Sequence, residues 1–190
     1  MKKILLTALI ASCFGANAAV TNSSSPGTAA LNGFTCLNGG GNADGGTTDT
    51  LAFTEVGTIT DANIDVAITH EWRGDLQLDV TYDSTTVVLY NTGGGNQDDL
   101  VVNFDSDASS DCATDCAAGG VCETGTSTTC SPSESLTAFN AKASNLGNWT
   151  LRVCDNDLAY SDGTFDTWAV TLQGQPGDGL PVELMSLEIE

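Results

Sequence analysis

Positive charge is what this chain has least of. Five lysines and arginines face 25 aspartates and glutamates, and with the single histidine neutral the formal net charge is −20. Two of the five, Lys2 and Lys3, precede an apolar run from Ile4 to Ala11 and the small residues Ala16-Asn17-Ala18. That is the pattern of a secretory signal cut after Ala18. Residues 1–18 are therefore expected to be removed and the protein to be secreted, leaving Arg73, Lys142 and Arg152 against all 25 acids, a net −22. Such a field repels nucleic acid and anionic membranes and favours cations. The alternative processing lipidates Cys13 within Ile10-Ala11-Ser12-Cys13 and anchors the protein on a membrane.

Other absences narrow the chemistry. His70 is the only histidine and no cysteine pair has zinc-ribbon spacing, so a zinc site is not expected. No Gly-x-Ser-x-Gly, His-Glu-x-x-His or P-loop occurs. The tail, residues 175–190, includes Leu180-Pro181-Val182-Glu183-Leu184 but no apolar run of membrane-spanning length, so no transmembrane segment is expected. Sustained helical periodicity is missing as well.

Short strands fill its place. Leu51–Ile59, Ile64–Trp72, Leu76–Tyr90 with a turn near Asp83-Ser84, Leu100–Phe104, Trp149–Val153 and Trp168–Leu172 read as strands punctuated by Gly and Asn. The expected fold is all-β, a jelly-roll-like antiparallel β-sandwich, in which Trp149 and Trp168 belong to the core. Residues 19–49, rich in Gly, Ser, Thr and Asn, read as a flexible leader unable to build a core. The sandwich spans 50–174 and carries a cysteine-rich insertion at 105–132. Six cysteines remain after signal removal: Cys36, Cys112, Cys116, Cys122, Cys130 and Cys154. An even count in an exported chain favours disulfides, with about 15 connectivities open. The preferred one staples Cys36 to Cys154 and pairs the other four among themselves.

Between two of the alternating runs lies His70-Glu71-Trp72-Arg73-Gly74-Asp75-Leu76. His-x-x-Arg-Gly-Asp-Leu at such a junction resembles the hallmark of the P domain (P/Homo B domain), the β-sandwich module behind the catalytic domains of proprotein convertases and many secreted bacterial proteases. Leu136 to Asn140, Gly147 to Val153, Asp155 to Asp157 with Asp162 to Phe165, and Trp168 to Val170 follow that family's order. The resemblance implies that His70, Arg73, Gly74 and Asp75 are structural, Gly74 allowing a tight turn and Arg73 pairing with a carboxylate. It implies a stabilising or recognition role beside a serine-type endopeptidase, with a secreted protease or cell-surface component as partner. Asp83-Ser84-Thr85-Thr86 departs from the family's usual hairpin and is expected to turn more loosely.

Three chemistries are weighed against that reading. Calcium takes about six to eight oxygen donors on adaptable loops, and Asp105 with Asp107, or Asp155 and Asp157 with Asp162, offer them; a structural calcium ion is expected at one cluster. Gly125-Thr126-Ser127 resembles the surroundings of a subtilase nucleophile, yet its only candidate base is His70. Asp98-Asp99 and the other acidic pairs fit a glycosidase only if one member has a raised pKa. A calcium-dependent glycan-binding jelly roll using Trp72, Tyr90 or Tyr160 is the alternative function.

Overall fold

The computed structural model describes residues 19–27, 29–31, 46–54, 57–92, 95–117, 119, 121–157 and 163–174. Ten strands form in order: β1 (Ala19–Ser24), β2 (Ala29–Leu31), β3 (Thr47–Ala52), β4 (Ile59–Thr69), β5 (Leu76–Tyr82), β6 (Thr85–Asn91), β7 (Leu100–Phe104), β8 (Thr128–Cys130), β9 (Asn148–Asp155) and β10 (Gly163–Gly174). A one-turn helix, α1 (Cys112–Asp115), and 3-10 turns at Arg73–Asp75 and Leu136–Phe139 complete the described elements. One sheet runs β1-β10-β4-β7-β8, with β2 also on β10; the other runs β3-β9-β5-β6. Only β7 and β8 pair in parallel among the described ladders. The protein is an all-β sandwich.

Period-two patterning explains the layers. In β4, Ile64, Val66 and Ile68 are buried and meet Val170 and Trp168 of β10 and Val102 and Phe104 of β7, while Asp61, Asn63, Asp65 and Ala67 face outward. From the opposite sheet, Trp149 stacks on Tyr82 at 4.4 Å between ring centroids and meets Phe139 edge-on at 4.8 Å. Aromatic pairs of this kind add about 0.5–1.5 kcal/mol beyond the area they bury. Trp168 is also core, and its indole N–H donates to Asp49 Oδ2 at 2.7 Å, tying the two sheets together. That bond, with others from Ser24 and the Thr50 backbone, outweighs the upward push of burial and lowers the Asp49 carboxyl.

Where it is described, the leader corrects the expectation of a flexible segment. β1 pairs with β10 from Ala19↔Gln173 to Ser24↔Trp168, β2 continues along the same edge, and Thr47–Asp49 open β3. An edge strand needs only backbone hydrogen bonds on one side, so a polar sequence poor in core residues still forms one. Cys36 lies outside the described residues.

The Asp83-Ser84 hairpin is tight instead of loose. Asp83 has φ 46° and Ser84 φ 59°, left-handed at both central positions, the two-residue geometry that matches strand twist. Asp83 also accepts from Lys142 Nζ at 2.9 Å. The edge of β6 is covered: Ser133 and Glu134 donate to Leu89 O and Val88 O, and Glu134 Oε2 accepts from Val88 N at 2.8 Å. Covering an edge this way blocks pairing with another chain.

Disulfides join Cys112 to Cys130 and Cys116 to Cys122, pairing the four insertion cysteines among themselves. All four are buried in the main core, so this polar insertion is held by sulfur and by β8 on β7. Cys154 is disulfide-bonded too, but to none of these four, and Cys36 is outside the described residues.

Candidate functional site

The corner between β4 and β5 gathers His70, Arg73 and Asp155, three of the six buried polar residues among those described, and these act inward. His70 is 3% exposed and Arg73 0%. Trp72 N–H donates to His70 Nδ1 at 3.0 Å, which makes Nε2 the proton-bearing nitrogen. Nε2 faces Asp155 Oδ2 at 3.4 Å. Asp99 clamps the same residue: its N–H donates to His70 O at 2.7 Å, Oδ1 accepts from His70 N, and Oδ2 accepts from Thr124 Oγ1 at 2.6 Å. Both carboxylate oxygens of Asp99 are thus engaged within its own chain.

Arg73 carries the insertion. Its Nη1 donates to Val121 O at 2.6 Å and its Nη2 lies 3.3 Å from Glu123 Oε1, on either side of Cys122. Burial lowers its pKa, opposed by Tyr90, Glu123, Asp99 and Asp98. Tyr90, itself fully buried, has its phenol pushed up to about 12 by that burial, with Arg73 opposing. Gly74 is required by contact: a Cβ there would stand 2.4 Å from Gly95 O, the acceptor of its own N–H. The expected need for a tight turn gives way to a close approach of two backbones. Gly163 is similar, since its missing Cβ would lie 2.5 Å from His70 Cδ2.

Asp75 belongs to the corner through its backbone, which accepts from Asn156 N at 2.8 Å. Its carboxyl is raised, first by burial and then by Asp157 and Asp155, with His70 opposing.

The calcium candidates are placed as follows. Asp105 Oδ1 accepts from Asp107 N at 2.8 Å, and the two raise Asp61 after burial has done so. Asp155, fully buried, spends Oδ1 on Asp157 N at 2.9 Å and turns Oδ2 to His70. Among the described residues no three His, Cys, Asp or Glu side chains are grouped to hold a metal ion. Asp162, the remaining candidate, lies outside the described residues, so its cluster is described only in part. The aromatic face expected for glycan binding is corrected at Tyr90, which is core; Trp72 is 55% exposed, and Tyr160 is outside the described residues.

Val121 and Glu123 escaped sequence reasoning, and Asp99 entered it only as one of an acidic pair. A partner for Arg73 was foreseeable from the motif; that it sits 50 residues away, beside a disulfide, was not.

Fold and corner together define a β-sandwich whose insertion is locked to a buried arginine. No family model matches the chain, and no curated protein sequence does. Among solved structures it is similar to the Aeromonas sobria serine protease, both in complex with its chaperone (12% identity, TM-score 0.49, 84% of this chain and 28% of that one) and alone (11%, 0.49, 83% and 27%). The chain spans little more than a quarter of those proteins, and likeness this low leaves function to the chemistry of the site. Among the described residues no helix is long and apolar enough to cross a membrane.

Proposed function

We propose that this chain is a secreted, non-catalytic module of the P/Homo B type, serving as a stabilising or recognition element of extracellular proteolysis. The observation that supports it most is the burial of Arg73, whose guanidinium turns inward to Val121 and Glu123. The motif that carries the family resemblance is thereby an architectural device, as it is in the resemblance. His70, the one base a nucleophile such as Ser127 would need, is buried against Asp155. Calcium stays in the proposal on sequence grounds alone, because the carboxylate stretch that would hold it runs into Asp162.

The proposal is tested on residues 19–190 prepared as the mature protein. It is expected to hydrolyse neither casein nor peptide esters, with Ser127→Ala indistinguishable from wild type, and crosslinking in culture supernatant is expected to recover a secreted protease. Hydrolysis that Ser127→Ala abolishes would overturn the non-catalytic reading; crosslinks only to surface polysaccharide would favour the glycan-binding one.

A further inference from the structure

A groove of about 300 Å³ crosses the outer face of the larger sheet, from the end of β1 over β10, β4 and β7 to Ser127 of the insertion. Its floor exists because outward positions on neighbouring strands hold small residues, Ala67 and Ala169, beside the half-buried Val101. Thr167 and Ser127, both exposed, contribute hydroxyls. Among the described residues, the one charged side chain lining it is Asp65. This gives Ser127 a place in the molecule: it is a wall of the groove, which no histidine lines.

Once residues 1–18 are removed as expected, Asp65 has no side-chain cation left to meet inside its own chain. Beyond residue 18 the basic residues are Arg73, Lys142 and Arg152, committed respectively to Glu123, Asp83 and Asp79. Asp65 Oδ1 accepts from Asn103 Nδ2 at 2.9 Å, which orients the carboxylate and leaves Oδ2 as the less engaged oxygen. That geometry selects among cations. A guanidinium binds a carboxylate best through two parallel hydrogen bonds, whereas an ammonium is a compact charge satisfied by one oxygen and neighbouring hydroxyls. Its methylene stem suits an apolar floor of alanine and valine.

We propose that this groove docks a lysine side chain presented on an exposed segment of a partner protein, with its stem over Ala67 and Ala169 and its ammonium at Asp65. The inference needs only the groove and its charge, so it stands whether or not the partner is a protease.

The test uses the mature protein and an uncharged, acetylated and amidated host peptide with one central lysine, followed by calorimetry at physiological salt. Peptides with norleucine, Nε-acetyl-lysine or arginine at that position are the comparison. Saturable binding of the lysine peptide is expected, weaker for arginine and lost for the two uncharged analogues. Asp65→Asn should weaken it by at least about tenfold and Ala169→Trp, which fills the groove, should abolish it. Asp61→Asn, two outward positions along β4, should leave it intact, and melting curves of each variant establish that the fold is kept. Equal losses in Asp61→Asn and Asp65→Asn would reduce the effect to the general acidic field and overturn the site. So would absence of saturable binding, or norleucine binding as well as lysine.

Discussion

His70 Nε2 stands 3.4 Å from Asp155 Oδ2, and neither atom has a hydrogen-bond partner among the described residues. The pair closes β5 and β9 against the end of β4, where Leu76 and Asp155 are in register. Removing the imidazole leaves Asp155 Oδ2 buried with no donor facing it, at a cost of about 1–3 kcal/mol. His70→Ala should therefore destabilise strongly, and the double change His70→Ala with Asp155→Ala should cost clearly less than the two singles added together. Denaturant unfolding of the four proteins measures the coupling; additive effects would mean that the two groups act separately.

Asp75 gives a pH dependence of defined sign. Its carboxyl is raised by burial, Asp157 and Asp155, so the folded state binds that proton more tightly than the unfolded chain does. This group then opposes folding at neutral pH, and the opposition fades as pH falls through the raised value. Asp75→Asn should raise the melting temperature at neutral pH by a few degrees, with the gain vanishing in acid. A lower melting temperature at neutral pH would mean that the carboxylate, and not the backbone, is the structural part of Asp75.

Resistance to proteases that cut after basic residues follows from where the cations sit. Beyond the expected signal only Arg73, Lys142 and Arg152 qualify. Their side chains are 0%, 20% and 12% exposed and each is ion-paired. Cleavage requires local opening, so the native mature protein should survive trypsin under conditions that reduce the denatured, reduced chain to four fragments. Rapid native cleavage after Arg73 would show that the corner opens readily.

Calcium is expected to raise the melting temperature more than magnesium does. Saturation at about 100 times the dissociation constant corresponds to about 2.7 kcal/mol, and magnesium holds its water and its octahedral geometry more stubbornly. Asp157→Asn should reduce the difference. Equal shifts from both ions, matched by sodium chloride at the same ionic strength, would assign the effect to screening of the acids around Asp75.

Alternation is a local property, and whatever depends on it alone was legible in the chain. Ile64, Val66 and Ile68, then Leu76, Leu78 and Val80, then Trp149, Leu151 and Val153 mark strands because every second residue must leave water. The six cysteines and the exported leader likewise pointed to disulfides within the insertion. Pairings through space carry no such period. That polar β1 would find a place on the edge of β10 was decided by a backbone ladder indifferent to side chains. That Asp155 would be buried against His70 while Asp157 stays near the surface depends on where β9 ends. The groove at Asp65 draws on β1, β4, β7, β10 and the insertion, which meet only once the sheet is assembled, because neighbours across a sheet are set by strand order and not by distance along the chain.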